Sequence, residues 1–423
     1  MRHVFRALLA VALAGSGVAC PNRANVQCET DPNCDLTTGG VCAAASTGNH
    51  WCAYPDPACS GGYRFSNQDV GDGVGGSCVG QLDAGIVDAH PDATIVDGDT
   101  TLRCRVAFQD GPAGNFLGQG TREVWTAHVD GTGFVNVSND PGDDFGASWA
   151  PNGLRIAFAS NRRGLATNHN DLYDIFVVNV DGTGPINLTA TSSFSSTYPV
   201  WSPDGTRIAF VRSSRPWVMN ADGSGAAQVA ALTFVDFMEW SPQSNQIVFD
   251  HFEMGGIVVP KIVVATVGDG AMPVKLTSSN GPERSASWNP SARIAFTSST
   301  GDIVTANADG SSPVNVTMNT ADQNNDPRWL DAGNTIAFEK RGTGHAEIWS
   351  ISSSGGTAKQ LTHNNVSNDV LQDASPHGLV VYNHSPAVDA SQVGIVDSNG
   401  ANAVLFNAPS GTNGRAARFS SCP

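Results

Sequence analysis

One phrase recurs along this chain. Tyr198-Pro199-Val200-Trp201-Ser202-Pro203-Asp204-Gly205-Thr206-Arg207-Ile208-Ala209-Phe210 reads as a strand, a tight turn and a second strand. It returns roughly every 40 to 50 residues, a period that signals repeated units stacking to bury faces that one unit cannot hide alone. The anchor aromatic stands at Trp149, Trp201, Trp240, Trp288 and Trp329, with degenerate copies around Ala374 and Phe419. Behind it come Ile156-Ala157-Phe158, Ile208-Ala209-Phe210, Ile247-Val248-Phe249, Ile294-Ala295-Phe296, Ile336-Ala337-Phe338 and Leu379-Val380-Val381-Tyr382. Val106-Ala107-Phe108 precedes them all.

A third β-rich segment follows each pair, as in Asp174-Ile175-Phe176-Val177-Val178-Asn179-Val180 and Glu347-Ile348-Trp349-Ser350-Ile351. It runs into Asp-Gly turns at Asp130-Gly131, Asp181-Gly182, Asp222-Gly223, Asp269-Gly270 and Asp309-Gly310. A short fourth segment closes the unit, as in Asn187-Leu188-Thr189 and Gln360-Leu361-Thr362. Pro fixes φ, Gly supplies positive φ and Asp bonds back to the backbone, so the four segments are strands joined by turns. Seven such copies predict an all-β, seven-bladed β-propeller of four-stranded antiparallel blades. Trp and Ile-Ala-Phe are then core, and the repeat describes architecture rather than chemistry.

These units resemble the Trp-Ser-Pro-Asp-Gly repeats of the TolB-type propellers, also called WD40-like repeats. The Gly-His and Trp-Asp dipeptides of typical WD40 repeats are missing here. The resemblance covers residues 102–423. TolB itself is six-bladed with an N-terminal α/β domain, so the likeness is to its propeller alone.

Such rings usually shut when one terminal strand completes the blade begun by the other. The first blade here opens at Arg105-Val106-Ala107-Phe108 with no anchor strand before it, and Ala416-Ala417-Arg418-Phe419-Ser420-Ser421 can supply the missing one. Superposing these copies on the Trp149 unit puts Cys422 at the place of Asn152 and Cys104 at that of Leu154, either side of one turn residue, Gly153. A Cys104 to Cys422 disulfide in place of the missing turn is therefore expected.

Residues 1–19 read as a secretory signal: Arg2, His3 and Arg6, an apolar run, then small residues. Gly17-Val18-Ala19-Cys20 resembles a bacterial lipobox with Cys20 lipidated; Gly17 replaces the usual Leu, and ordinary signal cleavage is the competing reading. Residues 20–80 hold Cys28, Cys34, Cys42, Cys52, Cys59 and Cys78, an even set that in an exported chain reads as three disulfides of open connectivity. Zinc is the rival reading, without paired Cys-x-x-Cys spacing. Residues 81–101, with Asp83, Asp88, Asp92, Asp97 and Asp99 and no Lys or Arg, read as a solvated linker.

A net charge of −16 disfavours nucleic acid and anionic membrane surfaces as partners and favours a basic protein or cationic ligand. Membrane attachment is expected through the N-terminal lipid alone, and a monomer is expected. Neither a Gly-x-Ser-x-Gly elbow nor room for a hydrolase domain is present. Asp322-Gln323-Asn324-Asn325-Asp326 begins like an EF-hand loop, but Pro327 and Gly333 stand where Gly and Glu are needed. No cofactor is expected, loop-bound calcium being the one weak alternative. His363, His377 and His384 invite comparison with lyases that act on acidic sugars, resemble this fold and hold a metal in the channel, yet lack close ligand spacing.

The remaining candidate surface is the mouth made by loops entering the Trp strands, which carry Asp143, Asp144, Asp236, Glu239, Asp322, Asp326 and Asp369. Their convergence would focus a negative field on whatever docks there. The expected function is an exported, lipid-anchored binding platform for a protein or ligand in the bacterial cell envelope, in the outer membrane, periplasm or cell surface. A metal-dependent sugar lyase and a purely structural envelope protein are the alternatives.

Overall fold

The computed structural model describes residues 41–44, 50–55, 63–65, 104–111, 122–162, 172–190, 193–255, 257–268, 270, 272–277, 279–318, 323–330, 333–342, 344–363, 367–387, 390–409 and 415–420. The chain divides into two compact units, Met1–Gly98 and Asp99–Pro423. In the first, Val41–Ala44, His50–Pro55 and Tyr63–Phe65 form an antiparallel sheet whose register sets Cys42 opposite Cys52. The signal segment, the linker acids and Cys20, Cys28, Cys34, Cys59 and Cys78 lie outside the described residues.

The second unit is a seven-bladed propeller of four-stranded antiparallel sheets, with no α-helix among the described residues. Blade 2 shows the pattern: Asp144–Trp149, Arg155–Ser160, Asp174–Asn179 and Ile186–Asn187, paired in chain order. Blades 3 to 7 repeat it, with first strands Ser196–Trp201, Val235–Trp240, Arg284–Trp288, Gln323–Leu330 and Asn368–Ala374. Blade 1 is shared between the ends of the unit: Arg415–Phe419 pairs antiparallel with Arg105–Asp110, which is followed by Glu123–His128 and Val135–Asn136.

Each Ile-Ala-Phe triplet faces two neighbours at once. Ile208 and Phe210 pack against blade 2, whereas Ala209 between them packs against blade 4. Ile294 and Phe296 likewise meet blade 4 and Ala295 meets blade 6. Side chains alternate along a strand, so a bulky outer pair fills the preceding interface and a small middle residue leaves room for the next blade's Trp, Ile and Phe. One apolar cluster results at every interface between adjacent blades, including that between blades 7 and 1.

The closing seam is packed as fully as the rest. Val106, Phe108 and Phe419 of blade 1 share a cluster with Val381, Ile395 and Phe406 of blade 7. The Arg105 backbone N–H donates to Ser420 Oγ at 3.1 Å, and the Ser420 N–H donates to the Arg105 carbonyl at 2.8 Å. Cys104, adjacent to that exchange, is 2% exposed and disulfide-bonded; Cys422 lies outside the described residues.

The Asp-Gly turns do more than reverse the chain. In the turn before the fourth strand, Asp130, Asp181 and Asp222 each accept the N–H and hydroxyl of the Thr or Ser two residues on. The glycine of this turn has positive φ and presses on the preceding blade: Gly182 on the Asn136 carbonyl, Gly223 on that of Leu188, Gly310 on Leu276, Gly355 on Val316, Gly400 on Leu361, and Gly131 on the Phe406 side chain. Blade 4 departs from this: Gly268 has φ of 89° but nothing within 4 Å of its added Cβ position.

Candidate functional site

The first strands of the seven blades contact one another in a closed succession, which makes them the wall of the central channel. All seven carry a register shift. In blades 2 to 6 the residue three before the anchor Trp has positive φ: Gly146, Tyr198, Phe237, Ser285 and Asp326. A bulge of this kind bends an innermost strand and re-aims its side chains.

The residue just before each anchor then links blades. Ser148 Oγ accepts the Trp201 N–H at 3.0 Å, Glu239 Oε1 accepts the Trp288 N–H at 2.9 Å, and Asp373 Oδ2 accepts the Phe419 N–H at 3.0 Å. In the other direction, the anchor indoles of Trp149, Trp240 and Trp329 donate to the carbonyls of Arg418, Val200 and Ser287 in the preceding blade. Trp201 and Trp288 are the exceptions, with unpaired indole N–H groups.

Where the channel runs out into the Ser-Pro turns, a cavity of about 440 Å³ opens. Pro203, Pro242, Pro290 and Pro376 belong to its wall, as do Trp240, Trp288 and Trp329, with Glu239, Arg328 and Asp373 among the polar groups. Glu239 is half-buried at the wall of this space. Burial pushes its carboxyl up to about 7, against the lowering influence of Arg328 and the Trp288 N–H, while Asp373 adds to the rise. Arg328 is 6% exposed, donates to the Pro327 carbonyl at 2.8 Å and stacks over Phe237 at 4.6 Å. Arg418, also near the Phe237 ring at 6.0 Å, is held below its usual value by burial, which Asp373 partly offsets.

Residues 165–418 match PD40, the TolB beta propeller domain. The chain belongs to the PD40 TolB-type propeller family. Dipeptidyl-peptidase 5 of Porphyromonas gingivalis is 32% identical to this PD40 propeller over 119 residues, 25% of this chain and 17% of that protein. The chain thus matches less than a fifth of that curated relative's length. Among solved structures, the β-propeller domain of the Trilobed protease from Pyrococcus furiosus aligns with a TM-score of 0.52 at 13% identity, over 72% of this chain and 96% of that one. An oligogalacturonate lyase in complex with manganese aligns at 0.50 and 12% identity, over 71% and 84%. At such identities these structures share the fold.

Of the seven acids expected at one mouth, Asp143, Asp144, Asp326 and Asp369 are engaged with other side chains of the PD40 propeller. Asp143 belongs to a cluster beside blade 2: Arg122 reaches it at 2.6 and 2.8 Å and the Tyr173 hydroxyl donates to it at 2.7 Å. Burial disfavours the Asp143 charge, but those donors outweigh it and hold the carboxyl below the usual range, while burial and Asp143 raise Tyr173 to about 12. Asp144 is fully buried, 3.4 Å from Arg162, and burial lifts it to about 6. Asp369 meets His384 Nδ1 at 2.7 Å within blade 7. Asp326 accepts the Ser285 hydroxyl across the blade 5 to 6 interface. Of the seven, Glu239 lines the cavity, at the end opposite the loops that enter the Trp strands.

The Asp322 position and the Asp236 side chain lie outside the described residues. His363 and His377 are exposed, whereas His384 is engaged with Asp369, and no group of three metal-ligating side chains occurs among the described residues. Arg328, Asp373 and Arg418 were missed by sequence reasoning. Their shared signal is position: each immediately precedes an anchor residue, Trp329, Ala374 or Phe419.

Proposed function

We propose that this PD40 propeller is an exported, lipid-anchored binding platform of the bacterial cell envelope, which docks a protein or ligand over the channel end ringed by Ser-Pro turns. The observation that carries the reading is the central cavity of about 440 Å³, with indole and proline walls and a few convergent charges, the composition of a site that takes an inserted group. Export and anchoring are supported by the pattern of residues 1–19 and by Cys20 at the lipobox-like position. Pairing of Cys104 with Cys422 is proposed as the clasp of blade 1, supported by the Arg105–Ser420 exchange beside it.

Capture of crosslinked envelope components by the full chain tests the platform. Pro203 and Pro376 are exposed at the rim, and Pro203→Arg with Pro376→Arg should abolish capture. Undiminished capture by that variant would overturn the proposed site. Bound manganese with cleavage of acidic sugars would replace the platform by the lyase reading. Mass spectrometry of the mature N-terminus decides whether Cys20 carries lipid.

A further inference from the structure

Five ionisable groups face one another where the channel meets the cavity: the carboxylates of Glu239, Asp326 and Asp373 and the guanidiniums of Arg328 and Arg418. Once Glu239 is ionised, three negative charges stand against two positive ones. No ion pair joins any carboxylate of this set to either guanidinium, and both arginines spend hydrogen bonds on main-chain carbonyls. Asp373 is satisfied, its Oδ1 accepting the Ala374 N–H and its Oδ2 the Phe419 N–H. Asp326 is held by the Ser285 hydroxyl.

Glu239 differs. Its Oε1 accepts the Trp288 N–H at 2.9 Å and lies 3.5 Å from the Ser287 hydroxyl, whereas its Oε2 accepts no hydrogen bond from the described residues. A carboxylate oxygen left without a donor on a half-buried residue at the wall of this cavity is a place for a positive group. The walls specify what that group hangs from. Trp240, Trp288 and Trp329 with four prolines offer flat apolar faces to a stem, and indole faces attract a cation directly. Trp288, 5% exposed, also has an indole N–H without a partner.

We propose that the cavity is a site for an organic cation, an ammonium or guanidinium head on an apolar stem, with Glu239 as its carboxylate partner. A lysine or arginine side chain of a docked protein and a free alkyl amine share this chemistry. The inference rests on the platform reading and names the chemistry of what that platform takes. Arg328 would work against the guest, because it carries like charge into the same cavity. Binding would favour ionised Glu239, so protons would leave as the cation enters near neutral pH.

Calorimetry on the full chain tests this with n-butylammonium, the capped peptide acetyl-Gly-Lys-Gly-amide, neutral 1-pentanol and butyrate. Both cations should bind at least tenfold tighter than pentanol or butyrate, with proton release between pH 6 and 8. Glu239→Gln, which keeps an oxygen for Trp288, should weaken them tenfold or more; Arg328→Gln should tighten them several-fold. Should Glu239→Gln not fold, the Arg328→Gln sign decides, and weaker or unchanged binding in it overturns the proposal. Equal binding of pentanol, or preference for butyrate, also overturns it. A peptide tighter than butylammonium assigns the guest to a protein side chain, and the reverse order assigns it to a free amine. A chain that captures an envelope partner but binds no cation defeats this inference alone; cation binding without a captured partner defeats the platform alone.

Discussion

Gly310 of blade 5 lies so close to the carbonyl oxygen of Leu276 in blade 4 that a Cβ could not be added without moving backbone. Gly268 has the same left-handed backbone with open space around it. The pair separates two costs that glycine turns usually combine. Gly268→Ala should lose about 1 to 2 kcal/mol from the positive φ alone. Gly310→Ala should lose about 2 kcal/mol more, because the neighbouring blade must shift. Equilibrium urea unfolding of both variants checks the difference.

Trp329 donates its indole N–H to the Ser287 carbonyl at 2.9 Å, whereas the Trp201 indole N–H has no partner. Both rings are buried at interfaces between blades. Replacing each by Phe removes similar volume, so Trp329→Phe should cost about 1 kcal/mol more than Trp201→Phe, the net worth of one hydrogen bond and its abandoned carbonyl. Equal losses would show that indole donation does not hold the blades together.

Glu239 titrates near 7 in the folded protein against a usual 4.5, because burial favours its neutral form. The unfolded chain therefore releases that proton first. The contribution of Glu239 is fully present below about pH 4.5, declines as pH rises through 7, and is flat above. The loss is on the order of 3 kcal/mol. Asp144, lifted to about 6 from 3.8, acts in the same sense at lower pH. Subtracting the stability curve of Glu239→Gln from that of the parent between pH 4 and 8 should reveal the Glu239 step.

If Cys104 and Cys422 are the clasp, Cys104→Ser and Cys422→Ser should each lower stability equally, by up to roughly 5 kcal/mol, and the double variant should lose no more. Thiol counting under denaturing conditions gives a second readout, since each single variant frees one thiol. Unequal losses in the single variants argue for a different partner of Cys104.

The blades were legible because the same chemistry is demanded seven times. Trp149, Trp201 and their counterparts, and the alternation in Ile208-Ala209-Phe210, follow from a face-to-face packing that each interface repeats. The channel was not legible in the same way. Its bulge position holds Gly146, Tyr198, Phe237, Ser285 and Asp326, residues with no common propensity, of which Gly alone prefers positive φ. Closing the ring imposes that bend on the strand, and local sequence does not announce it. The acids suffered from the opposite difficulty. Asp143 and Asp369 look like free loop carboxylates until folding brings Arg122, Tyr173 and His384 to them from other parts of the chain.

The union of Arg415–Phe419 with Arg105–Asp110 also governs the order of assembly. Arg105 and Ser420, which hydrogen-bond to each other, stand 315 positions apart. Blades 2 to 7 each draw all four strands from neighbouring stretches of chain and can form as they emerge, whereas blade 1 must wait with an unpaired edge until residue 419 has been synthesised and delivered. Every molecule thus passes through a stage with Val106 and Phe108 uncovered on one side, and the danger of wrong pairing falls on the propeller strand made first.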